Sequence, residues 1–369
     1  GDPERYGGLG CRRAAASVNG EIAAAVCGDA FTHQWELDDR LIELDGTDNK
    51  RRLGANAILA VSLAFARTTA VVRQVPLYRH FADMAGLDLT RLPRPTINLF
   101  SGGKHAGSQV PIQDVLVVAR SATTIEQSLA TIWSVYQAAA DLAWDRYAMR
   151  LLTADEGGLA PRFESVDRMF EMAVEAIEVA GLIPGRDVVL AVDVAASHFY
   201  QQSEYDLGDG PISSRQLIDT IAGWVDRFPI VSVEDGLGED DWSHWPDLKR
   251  MLPSSSLVLG DDLLCTNPHR ISQAIESDAA NALLLKVNQI GTLKEADTAR
   301  RLATEASWQV TVSARSGETE DDWLAGLATG WSGNQIKVGS ITQSDRLAKY
   351  NRLLAIEAET HLPLDDWPA

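Results

Sequence analysis

The chain has 369 residues, of which 45% are hydrophobic and 23% are charged, a composition typical of a globular protein with room for one large and one smaller domain. Its net charge of −19 argues against nucleic acid or an anionic membrane as partners, because both are bound through clustered Lys and Arg. We therefore expect a soluble, cytoplasmic protein that acts on a small molecule.

The first part of the chain is predicted to be helical. Its near-continuous apolar run from Ala57 to Ala66 indicates a helix that is buried on most sides, and Arg67 interrupts the run well short of a membrane span. Pro93 and Pro95 then stop any helix, since proline lacks an amide hydrogen and restricts the residue before it. We place a domain boundary here, with an N-terminal domain at 1–92 and a second domain at 93–369.

The second domain alternates short apolar runs with helix-length amphipathic segments. The clearest runs are Val188–Val192, Ile230–Val233, Leu257–Leu259, Leu283–Val287 and Val310–Val312. This alternation predicts a parallel sheet with helical crossovers. Strands that are apolar on both faces and recur this often favour closure into a (β/α)8 barrel, with an open doubly wound sheet as the alternative.

A polar residue follows or closes several of these strands. Asp193, Glu234 and Asp261 stand at the carboxyl ends of three of them, and in a parallel barrel such ends surround one mouth. Three carboxylates that converge there would repel one another unless a divalent cation lay between them, and hard oxygen ligands favour Mg²⁺ over zinc. The alternative is that each carboxylate faces water independently.

Lys286 lies within the apolar run LLLKV. An amine in such a strand loses hydration, so it must either be paired with an acid or have a lowered pKa. A neutral lysine could remove a weakly acidic proton alpha to a carboxylate.

Eight segments of the chain resemble those of enolases, in order and over nearly the whole length. They are DGTDNKRRLGANAILAVSLA at 45–64, NLFSGGKHAGSQ at 98–109, ADEGGLAP at 154–161, AVDVAASHFY at 191–200, VEDGLGEDDW at 233–242, GDDLLCTNP at 260–268, LLLKVNQIG at 283–291 and SARSGETED at 313–321. The resemblance implies an enolase-type (β/α)8 barrel with a smaller, mostly helical N-terminal capping domain.

The resemblance also implies a catalytic apparatus with two Mg²⁺ ions, the second arriving with the substrate. The residues that match the family's ligands of the first ion are Asp193, Glu234 and Asp261. Lys286 matches the base that takes the C2 proton, and Glu156 matches the acid that protonates the departing 3-hydroxyl. The remaining matches are Arg315 and Ser316 for the phosphate, Lys337 for the substrate carboxylate and His105 for a histidine of the flap.

Two residues beside the predicted leaving-group acid depart from the family pattern. Asp114 replaces a Glu, and Ala314 replaces a His. The shorter side chain withdraws a carboxylate by about 1.5 Å, and a small misplacement of a catalytic group can cost ~10²-fold in rate. Asp114 stays a candidate catalytic residue, but the pair favours altered chemistry at the leaving group.

The start of the chain departs from the family as well. The family's first β-meander, whose Ser-containing loop closes over the metal, has no counterpart before Gly1, so that segment either lies further upstream or is lacking. Ala355 stands where the family has an Arg that pairs across the dimer with that segment. We expect a homodimer, with an interface that is weakened or altered.

Three functions follow as hypotheses. The favoured one is a specialised paralogue of secondary metabolism that forms an enolpyruvate-type product from a phosphorylated or phosphonylated acid, similar to the carboxyphosphonoenolpyruvate synthases of phosphinothricin-type pathways. The second is an ordinary enolase that converts 2-phosphoglycerate to phosphoenolpyruvate. The third is an inactive enolase-like binding protein. It is the least favoured, because a protein without catalytic activity has no physical reason to keep Lys286 beside three carboxylates.

Overall fold

The N-terminal part of the computed structural model is helical, as predicted. The structure describes residues 2–148 and 152–368, without the side chain of His105. The first helices are α1 (Arg12–Ser17), α2 (Ala23–Val26), α3 (Gln34–Asp45), α4 (Ala55–Val72) and α5 (Leu77–Ala85). By length and composition α4 is apolar enough to cross a membrane, but a helix that packs in a protein core passes the same test. Here α4 contacts α3 and α5.

The rest of the chain alternates strands and helices. The strands are β1 (Arg94–Pro95), β2 (Ile97–Ser101), β3 (Asp114–Ala119), β4 (Val188–Asp193), β5 (Tyr200–Gln201), β6 (Glu204–Asp206), β7 (Pro211–Ile212), β8 (Ile230–Glu234), β9 (Leu257–Gly260), β10 (Ala282–Leu285), β11 (Gln309–Ser313) and β12 (Gln335–Lys337). The helices are α6 (Ile125–Tyr147), α7 (Val166–Val179), α8 (Ser214–Arg227), α9 (Trp245–Met251), α10 (Pro268–Glu276), α11 (Val287–Ile290), α12 (Leu293–Glu305), α13 (Trp323–Gly330) and α14 (Ser344–Thr360). All five predicted runs form strands, although β10 ends just before Lys286.

The main sheet curls into the predicted barrel. Its strand order is β1-β12-β11-β10-β9-β8-β4-β3-β2, and the edge strands β1 and β2 are separated only by Thr96. The Thr96 amide donates to the carbonyl of Ile336 on β12 at 3.0 Å, so one extended segment joins both edges of the sheet. The two edges therefore meet, as barrel closure requires.

One strand runs against the others, which corrects the expectation of an all-parallel barrel. β3 is antiparallel to both β2 and β4, while the pairs from β4 through β8 to β12 are parallel. A reversed strand begins where its neighbours end. Asp114, the first residue of β3, therefore lies opposite Asp193, the last residue of β4.

The barrel interior changes from apolar to charged along several of its strands. Its floor is a cluster of buried apolar side chains from several strands and the C-terminal segment, namely Val118, Val189, Leu257, Leu259, Ala282, Leu284 and Trp367. Because side chains alternate between the two faces of a strand, the next inward positions after Leu259 and Leu284 are Asp261 and Lys286. The same alternation that fills the floor places charged groups at the mouth.

The C-terminal segment is fastened beneath this floor. The buried guanidinium of Arg94 donates to the carbonyl of Asp365 at 2.6 and 3.0 Å and to the carbonyl of Ala119 at 2.6 Å. Trp367 packs against the floor cluster, with only 8% of its surface exposed.

Candidate active site

Lys337 is the central cation of the barrel mouth. Its Nζ lies 2.9 Å from Asp193 Oδ2 and 2.7 Å from Glu234 Oε2, and all three side chains are buried. Burial lowers the pKa of Lys337, but Asp193 and Glu234 outweigh burial and raise it well above its usual value. Burial, followed by the charge of Asp193, raises the pKa of Glu234 well above its usual value. Two predicted metal ligands thus share one ammonium group.

Lys286 is paired with the third predicted ligand. Its Nζ lies 2.5 Å from Asp261 Oδ2, and Gln289 Nε2 donates to Asp261 Oδ1 at 2.8 Å. Burial lowers the pKa of Lys286, yet Asp261 outweighs burial and leaves that pKa above its usual value. Burial in turn raises the pKa of Asp261, and Lys286 reverses this, so the net shift is downward. Of the two alternatives for Lys286, the structure shows the paired one.

Two further carboxylates, Asp235 and Asp262, lie beside Asp261 and were missed by the sequence reasoning. The three side chains form a group whose oxygen atoms are close enough to hold a metal ion. Asp235 accepts hydrogen bonds from the amides of Asp261 and Asp262 at 3.0 and 2.7 Å, which fixes the turn after β9. In the sequence, Asp235 and Asp262 each follow a predicted metal ligand directly, and these adjacent acidic residues could have indicated them. Strand alternation alone, however, points the second acid of each pair away from the mouth.

Asp114 is completely buried at the mouth. Ser101 on β2 donates to its Oδ1 at 2.5 Å, whereas Oδ2 has no hydrogen-bond partner among the described residues. Burial, followed by the charge of Glu156, raises the pKa of Asp114 well above its usual value. Ala314, which follows β11, is buried as well.

Glu156 reaches the same mouth from the loop between α6 and α7. Its carboxylate accepts from Asn98 Nδ2 at 3.2 Å and from Ser316 Oγ at 3.3 Å. Its carbonyl accepts the amide of Ser340 at 2.8 Å. The neighbouring Gly339 has a φ of 99°, and a Cβ there would lie 2.8 Å from the Glu156 carbonyl oxygen, so this close approach requires glycine.

The predicted phosphate-binding residues lie on a loop at the rim. Arg315 and Ser316 are exposed in the segment between β11 and α13, which we call the rim loop (residues 314–322). Arg67 of α4 forms an ion pair with Asp321 at the far end of this loop. The side chain of His105, predicted to lie on the flap, falls outside the described residues.

The donor set of the mouth fits a hard divalent cation. Carboxylate oxygens crowd together here, as Mg²⁺ coordination requires, and they outnumber the lysines that neutralise them. The residues that could hold a metal are Asp193, Glu234, Asp261 and the adjoining Asp235 and Asp262. Carboxylates and two lysines thus meet at one end of the barrel.

A separate cleft of about 1020 Å³ lies beside the barrel mouth, between residues 103–111 and the three-stranded sheet β5-β6-β7. Its lining includes Lys104, Gln109, His198 and Trp224, but none of the predicted catalytic or metal-binding residues. Charge and hydrogen bonding, rather than the size of a cavity, therefore identify the candidate site.

Comparison with protein families covers almost the entire chain. The description "Enolase, N-terminal domain" applies to the match at residues 1–81, and "Enolase, C-terminal TIM barrel domain" to the match at residues 89–362. Enolases generally use Mg²⁺, in agreement with the oxygen-rich mouth. The eight resembling segments, the barrel and both domain matches lead to the same assignment: the chain belongs to the enolase family of enzymes.

Proposed function

We propose that this enzyme uses Mg²⁺ and removes the C2 proton of 2-phosphoglycerate or a close phosphorylated or phosphonylated analogue, giving an enolpyruvate-type product. The observation that carries the proposal is the pairing of two lysines with the mouth carboxylates: Lys337 with Asp193 and Glu234, and Lys286 with Asp261. Because carboxylates outnumber the lysines, this arrangement would suit an anionic substrate, whose charge increases during reaction, once Mg²⁺ is bound.

Each residue has a role in the proposed reaction. Two Mg²⁺ ions, the first held by Asp193, Glu234 and Asp261, would stabilise negative charge on the substrate carboxylate. Lys286 accepts the C2 proton at Nζ as a neutral amine, which requires that it lose the proton shared with Asp261. Lys337 faces the substrate carboxylate, and Arg315 with Ser316 receives the phosphoryl or phosphonyl group.

The leaving-group half supports a specialised paralogue of the carboxyphosphonoenolpyruvate synthase kind. Ser101 donates to the buried carboxylate of Asp114, and Ala314 stands where the resemblance implies an imidazole. A hydroxyl that departs with the help of closely placed proton carriers is therefore less well served than a different leaving group. After burial, the nearby charge of Glu156 is the next cause of the raised pKa of Asp114.

Ordinary dehydration of 2-phosphoglycerate is the second candidate. Glu156 supports it, because Asn98 and Ser316 hold its carboxylate at the mouth, where an acid could protonate a departing hydroxyl. In this case Asp114 and a water molecule would take over the roles of the Glu and His that the family has at positions 114 and 314.

The deciding experiment adds 2-phosphoglycerate and Mg²⁺ and follows both enol absorbance and exchange of the C2 proton with deuterium by NMR. Exchange without product indicates the specialised paralogue, and a phosphonate analogue should then be turned over. Product at ~10 s⁻¹, an ordinary enzyme rate, indicates an enolase. Absence of both exchange and turnover with either substrate class would contradict the proposal. We further expect a cytoplasmic homodimer, which sedimentation of the purified protein would test for its oligomeric part.

A further inference from the structure

Arg346 is a fully buried cation on α14 that donates to the backbone of the rim loop. Its Nη1 lies 2.7 Å from the carbonyl oxygen of Arg315, and its Nη2 lies 2.6 Å from that of Ser316. Its Nε lies 3.0 Å from Asp345. One planar guanidinium thus fixes two consecutive carbonyl groups, a geometry that the single ammonium of lysine cannot reproduce.

Lys349, one turn further along α14, holds the next part of the same loop. Its Nζ donates to the carbonyls of Thr319 and Asp345 at 2.5 and 2.8 Å and pairs with Glu318 at 3.0 Å. Glu318 in turn accepts the amide of Arg315 at 3.3 Å. Like Arg346, Lys349 has a side chain with no exposed surface.

The peptide planes of the rim loop follow from these contacts. Because a trans peptide bond is planar, its N–H points opposite to its C=O. The carbonyls of Arg315 and Ser316 point toward Arg346, so the amides of Ser316 and Gly317 point away from α14. The Ser316 hydroxyl donates to Glu156 at 3.3 Å.

Gly317 leaves open space on this loop. Its φ lies outside the left-handed region, and a Cβ at this position would contact none of the described atoms within 4 Å. Neither backbone conformation nor packing within the described chain therefore requires glycine here. Close approach of a ligand to the backbone is a further reason for glycine, and successive backbone amides are suited to anions.

We propose that Arg346 and Lys349 are positioning residues that orient the rim loop so that the amides of Ser316 and Gly317, together with the Arg315 side chain, receive the phosphoryl or phosphonyl group. This inference rests on the proposed function and adds the residues that shape its anion subsite.

The test measures binding of inorganic phosphate at saturating Mg²⁺, and of Mg²⁺ alone, by calorimetry. Arg346→Lys should weaken phosphate binding by about tenfold or more, the effect of losing a charge-assisted hydrogen bond, and leave Mg²⁺ binding unchanged. Arg352→Lys is the matched control on the same helix, because Arg352 pairs with Glu359 rather than with the loop, and it should change neither affinity.

Gly317→Ala provides a second variant whose folding is not at risk, since its methyl group meets open space. Gly317→Ala should also weaken phosphate binding severalfold. The double variant Gly317→Ala, Arg315→Met already lacks the proposed anion subsite. Adding Arg346→Lys to this double variant should therefore weaken phosphate binding little further. Unchanged phosphate affinity in Gly317→Ala, or no phosphate binding by the unsubstituted protein, would overturn the inference. Failure of the proposed reaction is seen separately, as absence of C2 exchange in a protein that still binds phosphate.

Discussion

The floor and the mouth of the barrel are built from the same strands but obey opposite physical demands. At the floor, Leu257 and Leu284 bury apolar surface around Trp367. At the mouth, one inward position above the last apolar layer, carboxylates and lysines occupy the equivalent places, as Asp261 and Lys286 show. Apolar burial at the floor stabilises the fold, whereas charge at the mouth loses hydration and must be compensated by pairing or by a bound cation.

This difference shows where stability and activity can be altered separately. A change at the floor should affect unfolding and leave the chemistry intact, since its side chains are remote from the substrate. A change at the mouth should affect chemistry most and stability in a way that depends on pH and Mg²⁺.

The largest effect is expected from removing the predicted base at the mouth. Lys286→Ala should slow exchange of the substrate C2 proton about 10²- to 10⁴-fold, the usual contribution of a general base, while Mg²⁺ binding persists. The exchange rate is measured by NMR as the C2 proton of the substrate is replaced by deuterium from the solvent. Lys294→Ala is the control, since Lys294 pairs with Asp39 outside the mouth. Exchange at the unsubstituted rate would show that Lys286 is not the base.

A cavity at the floor should lower stability by a comparable free energy but leave metal binding untouched. Leu257→Ala should reduce the free energy of unfolding by about 3 kcal/mol, because the cavity only partly collapses. Mg²⁺ at a hundred times its Kd should add about 3 kcal/mol to both the variant and the unsubstituted protein, since distant sites act additively. Urea unfolding with and without Mg²⁺ measures both terms.

The control for the floor is Met251→Ala, which truncates an exposed side chain on α9 and should change stability little. A smaller Mg²⁺ increment in Leu257→Ala would show that the floor and the mouth are energetically coupled rather than independent.

A third, smaller effect concerns pH at the mouth. The pKa of Asp114 is raised above its ordinary value of 3.8, so the native state binds this proton more tightly than the unfolded state. The stabilisation is complete below pH 3.8 and is lost as pH rises through the folded-state pKa. Asp114→Asn, which resembles the protonated acid, should therefore be more stable than the unsubstituted protein at high pH without Mg²⁺.

The measurement is urea unfolding of both proteins from about pH 4 to about pH 8 in the presence of a metal chelator. The advantage of Asp114→Asn should shrink toward the acid end of this series. A constant difference across the series would mean that the titration of Asp114 does not contribute to stability.

The smallest effect is expected at the edge of the mouth. Arg67 and Asp321 form a partly exposed ion pair between α4 and the rim loop, with side chains 40% and 37% exposed. Arg67→Gln should cost less than about 1 kcal/mol and less again at high salt, because water and ions screen such pairs. Arg301→Gln, which breaks an exposed pair within α12, is the control in the same unfolding assay. A loss as large as that of Leu257→Ala would show that buried structure depends on this pair.

The barrel was predictable from sequence because its strands are short apolar runs between amphipathic segments. The direction of β3 was not, since a reversed strand that is buried on both faces has the same apolar composition as a parallel one. Alternation along the strands also explains why Asp261 and Lys286 could be placed at the mouth from the sequence alone.

The residues that alternation could not place depend on backbone turns and on helices remote in sequence. Asp235 has a φ of 43°, in the left-handed region, and this turn lets its carboxylate reach the amides of Asp261 and Asp262. Arg346 lies on α14, thirty-one residues after Arg315, in an unremarkable polar stretch. Only the packing of α14 against the rim loop reveals its contacts.

The reversed direction of β3 has a consequence for how this enzyme family can diversify. Asp114 enters the mouth as the first residue of β3, whereas Asp193 and Glu234 end the parallel strands β4 and β8 and Asp261 follows β9. The position of Asp114 can therefore change through mutations at the start of β3 while the strand ends that carry Asp193, Glu234 and Asp261 keep their places. Under the proposed reaction, this separation would let substitutions at Asp114 alter the departing group without rebuilding the metal site.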